Sequence, residues 1–197
     1  MSKPLQRFQV GKEAPKVGVT PSIVLINPKT AFNAGMVVRL ASAYGVSQVW
    51  YTGARVDQDI RRLGRIPREE RMKGYKDVSI INYEYPLEQF KGAVPVAVEV
   101  RENSIPLHLF EHPENAVYVF GPEDGSLPRS VLTCCHHFLI IPSRHCLNLA
   151  TAVGIILWDR LYKEFASGKC DPTEFVTPAS FESRGFIEND PVEVFGA

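Results

Sequence analysis

Val119-Phe120-Gly121-Pro122-Glu123-Asp124-Gly125-Ser126-Leu127-Pro128 changes character at Gly121. Up to Phe120 it is an apolar run of strand length. Beyond it glycine, proline and acidic residues crowd a few positions, and from Leu127 an apolar pattern of helical period begins. The same order of events recurs in Ile140-Ile141-Pro142-Ser143-Arg144-His145-Cys146-Leu147-Asn148-Leu149. A strand that breaks into a tight polar turn before a helix presents loop backbone to a ligand at the carboxyl end of a parallel sheet. The two turns are therefore expected to wall one site.

Working outward, apolar runs of strand length occur at 22–26, 47–52, 78–81, 95–100, 116–120 and 137–141. Ser22-Ile23-Val24-Leu25-Ile26 is continuous rather than alternating, as in a strand buried on both faces. Phe32, Met36, Val37, Leu40 and Ala41 fall at helical spacing and end at Tyr44-Gly45, where glycine suits a helix C-terminus. Ala150, Val153, Gly154, Ile156, Leu157 and Leu161 give the longest apolar face, ending near Gly168. A short helix is expected over 127–134, with Ser126 as N-cap and Pro128 in the first turn. Strands alternating with helices predict an α/β protein with a mostly parallel sheet and helices on both faces.

The bulk properties narrow the class. The chain has 197 residues, with 22 Lys+Arg against 22 Asp+Glu, so a nucleic-acid partner would have to be met by a local patch. No apolar run is long enough to span a bilayer and the start has no apolar signal core, which predicts a cytoplasmic protein without a membrane partner. Cys134, Cys135, Cys146 and Cys170 make no C-x-x-C pair, so no metal site is expected. A basic N-terminal arm is expected over 1–18, one domain over 19–168 and an acidic tail over 169–197. Between the second and third runs lies a stretch rich in arginine, including Arg55, Arg61, Arg62, Arg65, Arg68 and Arg71. Composition leaves it open between a solvated helical excursion and a surface for a phosphate backbone. Tyr75 and Tyr83, flanking its far end, fit base stacking or a core equally.

Three segments together resemble a known family: Asn33-Ala34-Gly35-Met36-Val37-Val38-Arg39-Leu40-Ala41, Phe120-Gly121-Pro122-Glu123-Asp124-Gly125, and Ile141-Pro142 through Leu147-Asn148-Leu149. They are similar, in order and in their places at strand ends, to the three motifs of the SpoU/TrmH-type RNA 2′-O-methyltransferases of the SPOUT superfamily. The resemblance covers residues 20 to 165. It implies methyl transfer from S-adenosylmethionine to a ribose 2′-hydroxyl of RNA, a C-terminal trefoil knot and a homodimer. Compact relatives often act on tRNA, which favours tRNA over rRNA. A non-catalytic RNA- or cofactor-binding protein on the same fold is the alternative. A glycine-rich turn after the first strand, as in a Rossmann-type methyltransferase, is missing at Asn27-Pro28-Lys29-Thr30.

By this resemblance Phe120, Gly121, Glu123, Gly125, Ile140, Ile141, Leu147 and Asn148 would bind the cofactor. Arg39, Asn33, Glu123, Cys146 and Asn148 would form the catalytic set, and Arg39, Arg61, Arg62, Arg65 and Arg68 would meet RNA. Arg39 interrupts an apolar helical pattern, which is costly for a guanidinium unless an anion meets it. That anion could be an RNA phosphate or Glu123. An arginine is a poor base at neutral pH, so orienting phosphate and stabilising a nascent alkoxide suit it better. Asn33 would brace the arginine or cap the first helix; Asn148 would sit by the cofactor or cap the last one. Gly35 would allow a close approach. Cys146 stands where the family usually has serine, and a thiol is the weaker hydrogen-bond donor.

Overall fold

The computed structural model describes residues 8–9, 18–65, 76 and 78–175. Among these residues one sheet holds eight strands: β1 Phe8–Gln9, β2 Ser22–Leu25, β3 Gln48–Tyr51, β4 Ser79–Asn82, β5 Val94–Val98, β6 Ile105–Pro106, β7 Ala116–Phe120 and β8 His137–Ile140. Their order is β1-β4-β3-β2-β7-β5-β8-β6, and every pairing is parallel. The helices are α1 Ala31–Ala43, α2 Arg55–Leu63, α3 Arg129–Leu132 and α4 Leu149–Ala166.

The continuous apolar strands are explained by two cores. Alternate residues Ile23, Leu25, Val49, Tyr51, Tyr118 and Phe120 face a core shared with Ala34, Val37, Val38 and Ala41 of α1 and Leu149, Val153, Ile156 and Leu157 of α4. Their neighbours Val24, Trp50, Ala97, Val117 and Val119 face a second core, closed by Phe90 and Leu127 with Val131 and Leu132 of α3. The period of two along each strand puts successive side chains into opposite layers, so the central positions are apolar. The one buried polar strand residue among those described, Ser22, donates its hydroxyl to the Gln48 carbonyl.

Thr30 caps α1, its hydroxyl accepting from the Asn33 backbone N–H at 3.2 Å, and α1 closes at Tyr44 before a left-handed Gly45. Two strands were not foreseen. Phe8–Gln9, within the stretch expected to be a loose arm, pairs with β4, and Ile105–Pro106 forms the far edge. Both are two residues long, too short for any periodicity, and Pro106 suits an edge strand. The helix expected over 127–134 is the shorter α3, and Pro128, not Ser126, stands at its N-cap without a side-chain bond.

β6 has a topological consequence. Leu139 of β8 pairs with Val98 on one side and Ile105 on the other, so residues 99–104 bridge over β8 where that strand ends. The chain leaving β8 at Ile141 has to pass this bridge.

The chain divides into two units, Met1–Arg160 and Leu161–Ala197. Within the second, Phe165 meets Phe175 edge-on at 5.8 Å, and Asp171 accepts from the Thr173 N–H at 2.8 Å, which lowers the pKa of its carboxyl. The rest of the expected acidic tail lies outside the described residues.

Candidate active site

The carboxyl ends of β7, β8 and β5 open into a cleft of about 530 Å3. The two motif-bearing turns form its walls: Phe120, Gly121, Pro122, Glu123 and Gly125 on one side, and Ile140, Ile141, Ser143, Cys146, Leu147 and Asn148 on the other. All the residues expected at the cofactor are brought together there. Gly121 is needed for close packing, since a Cβ on it would come within 3.3 Å of the Leu127 backbone nitrogen. Val98, Leu139 and Leu149 add apolar surface, and Glu99 adds a second carboxylate. Glu99 accepts from the Leu127 N–H at 2.9 Å and so fixes the far end of the first turn.

One chain of hydrogen bonds joins the three motifs at the mouth of this cleft. The Lys29 backbone N–H donates to Glu123 Oε2 at 2.8 Å, and Asn33 Nδ2 donates to Glu123 Oε1 at 2.5 Å. Asn148 Nδ2 donates to Asn33 Oδ1 at 3.1 Å. Asn148 Oδ1 accepts from the Ala150 and Thr151 N–H groups at 2.9 and 3.3 Å, capping α4. Asn148 is therefore both cap and bridge, whereas Asn33 does not cap α1, a task Thr30 performs. Each amide in the chain donates on one side and accepts on the other, so both side chains are held in one orientation.

Arg39 differs from expectation. It is exposed on α1, does not line the cleft, and has no ion pair with Glu123, whose carboxylate is taken by Lys29 and Asn33. The apolar pattern around it was misleading because Phe32 and Met36 share its outward side of the helix, and Phe32 is itself exposed. Six positions along a helix separate Arg39 from Asn33 by about 120° of rotation, so the two leave α1 on different sides. Gly35 is buried inside α1 and does not line the cleft either. Cys146 is exposed and lines it.

Arg55, counted in sequence with the basic stretch, contacts the first of the two turns instead. Its Nη1 meets both oxygens of Asp124 at 2.9 Å, and its Nε meets Asn27 Oδ1 at 3.2 Å. Its Nη2 donates to the Asn27 carbonyl. This ion pair holds the Asp124 carboxyl below the usual carboxylate range, with Lys29 adding a smaller effect. No spacing rule links positions 55 and 124, so this contact had no signal in the sequence. Arg61, Arg62 and Arg65 are exposed at the end of α2, Arg62 pairing with Asp59 at 2.8 Å, while Arg68, Arg71 and Tyr75 lie outside the described residues. Tyr83 packs edge-on to Trp50 at 6.3 Å, which favours its core reading. Cys135, half-buried, has its thiol pushed up to about 11 by burial, and the described residues hold no cluster of metal ligands.

A model of the SpoU rRNA methylase family matches residues 21–158. The chain belongs to this family. Its SpoU character extends to solved structures. The A. aeolicus TrmH/SpoU tRNA modifying enzyme is 20% identical, with a TM-score of 0.65 over 81% of this chain and 86% of that one. A protein studied for 2-OH methylation of C/U34 on tRNA is 26% identical, with a TM-score of 0.59 over 74% of this chain and 96% of that one. The AdoMet-bound rRNA methyltransferase from Sinorhizobium meliloti is 20% identical at a TM-score of 0.58; the match covers 76% of this SpoU-family chain and 59% of that protein. No curated protein matches.

The cleft fits the family's cofactor, S-adenosylmethionine. Its volume lies within the roughly 300–1,000 Å3 of small-molecule sites, and its lining is mostly apolar with backbone exposed at the two turns. The ionisable side chains that line it are Glu99, Glu123, Lys29 and Cys146, a carboxylate-rich set suited to a sulfonium and an ammonium group.

Proposed function

We propose that this chain transfers a methyl group from S-adenosylmethionine to a ribose 2′-hydroxyl of tRNA. The observation that carries the reading is the Glu123–Asn33–Asn148 hydrogen-bond chain, which ties three motifs to the mouth of one apolar cleft. S-adenosylmethionine, when bound, supplies an electrophilic methyl group on sulfur. Gly121, Phe120, Ile140, Ile141 and Leu147 would hold it and exclude water. Glu123 already accepts two hydrogen bonds, which makes it a brace for the turn rather than a free base. Asn33 and Asn148 would fix the edge against which the ribose is seated.

Arg39 is assigned the phosphate and the developing alkoxide, in a homodimer. The support is its outward position beside a second groove of about 460 Å3, lined by Met36, Leu40, Tyr44, Gly154, Ile155 and Trp158. Asn148 lines both this groove and the cleft. A second copy seated in the groove would therefore lie beside both Arg39 and the cleft mouth. The choice of tRNA rests on the tRNA-directed structure at 26% identity, which the chain covers over 96% of its length. A trefoil knot would form where the chain passes the 99–104 bridge.

The test is purified protein with methyl-labelled S-adenosylmethionine and separated tRNA and rRNA. Label in tRNA at a 2′-O position, abolished by Arg39→Ala, is the expected result. Cofactor binding without transfer to any RNA would replace the enzyme with a binding protein on the same fold.

A further inference from the structure

We propose that Arg55 is a positioning residue for the cofactor site, acting through Asp124 on the 122–125 turn. This rests on the cofactor reading of the cleft.

The turn is a tight one, closed by the Gly125 N–H on the Pro122 carbonyl at 3.3 Å. Glu123 and Asp124 occupy its two central positions; Lys29 touches both, by its N–H and by its Nζ at 3.9 Å, but their side-chain hydrogen bonds come from different elements. Glu123 is tied to α1 through Asn33, whereas Asp124 is tied to Arg55 at the start of α2. The turn is thus clamped from both sides, and its other central contact is the cleft itself, lined by Gly121, Pro122, Glu123 and Gly125. Arg55 can act as a fixed point because its own guanidinium is fixed. Asn27 Oδ1 and the Asn27 carbonyl accept from it, and Asn27 holds a left-handed conformation at φ 48°. A planar fork that engages two acceptor groups at once has little freedom left to lose.

The element carrying Arg55 is anchored as firmly. Asp57 accepts from the Tyr51 hydroxyl at 2.5 Å and from Asn82 at 2.6 Å, joining α2 to β3 and β4. Asp59 accepts from the Ala31 N–H at 3.1 Å, joining it to the first turn of α1. The helix that ends in Arg61 and Arg62 is therefore the same rigid piece that sets the cofactor turn.

The experiment measures S-adenosylmethionine affinity by calorimetry for wild type, Arg55→Ala, Arg55→Lys, Asp124→Asn and the Arg55→Ala/Asp124→Asn double variant. Melting temperature and tRNA affinity are followed in parallel. Expected is a roughly tenfold weaker cofactor affinity in each alanine or asparagine variant, partial recovery with lysine, and no further loss in the double variant, with tRNA affinity unchanged. Unchanged cofactor affinity in Arg55→Ala, or additive losses in the double variant, would overturn the proposal. A loss of cofactor affinity that only follows a fall in melting temperature would also do so. Wild type that binds no S-adenosylmethionine would instead refute the cofactor reading, which keeps the two failures apart.

Discussion

At the scale of single residues, the site depends on amides with two jobs. Asn148 both caps α4 and orients Asn33, so removing it should cost more function than stability. Asn148→Ala should lower stability by about 1 kcal/mol, the usual value of an N-cap, in a denaturant titration. The same variant should weaken cofactor binding severalfold, because Asn33 loses the donor that holds its Oδ1. Cys146 raises the opposite question, since it lines the cleft with a poor donor where the family resemblance led to the expectation of a serine. Cys146→Ser should raise kcat severalfold with cofactor affinity unchanged; an unaltered kcat would make Cys146 simple lining. Asp124 gives a pH expectation. Its pKa is lowered in the folded chain, so the Arg55 contact contributes fully above the ordinary carboxylate value and is lost only as pH falls through the lowered one. Arg55 and Lys29 are the charges facing it. Cofactor affinity should therefore stay flat from neutral pH to about 5 as far as this contact is concerned.

At the scale of elements, α2 and α4 join parts of the fold that the sheet alone does not. Arg62 is paired with Asp59, and Asp59 also holds the α1 N-terminus, so Arg62 is a poor choice for testing RNA contact. The cleaner variant is Arg61→Glu. It should raise the KM for RNA by an order of magnitude while S-adenosylmethionine binds as before. An unchanged KM would assign the end of α2 to solvated surface. In α4, Arg160 is 8% exposed and donates to the Pro113 and Glu114 carbonyls at 2.7 and 3.1 Å. Its neighbour Asp159 meets His112, which meets Tyr118 of β7. The connection from β6 to β7 is thus pinned to the last helix. Arg160→Ala removes the charged donor shared by these two carbonyls and the Tyr118 hydroxyl, and chemical denaturation should show a loss of about 1–3 kcal/mol. Gly154 allows the close crossing of α4 over α1, since a Cβ there would come within 3.3 Å of Leu40 Cδ2.

At the scale of the whole molecule, the groove beside α1 decides whether the site is complete in one copy. Trp158 is 51% exposed in it, beside Tyr44 at 6.5 Å between ring centroids. Apolar surface of that kind is characteristic of a partner site. Trp158→Glu should shift the protein to a monomer in sedimentation analysis, with methyl transfer lost and cofactor binding kept. A wild-type monomer would instead require Arg39 to work without a second copy.

The parallel α/β architecture was legible because buried strands need continuous apolar runs and the helices between them need a 3.6-residue period. β7, Ala116–Phe120, lay where the pattern put it for that reason. The cleft was legible for a second reason: glycine, proline and acid residues at two strand ends mark backbone that cannot continue a strand. What no local pattern contains is which distant residues meet. The strand order, the bridge over β8, the Arg55–Asp124 contact and the outward direction of Arg39 are products of packing between distant positions, 69 apart for Arg55 and Asp124. Sequence by itself determined the longer strands, α1, α4 and the two turns that wall the site. Only the tertiary structure decided what holds those turns, because side-chain contacts between distant positions obey geometry in space and not periodicity along the chain.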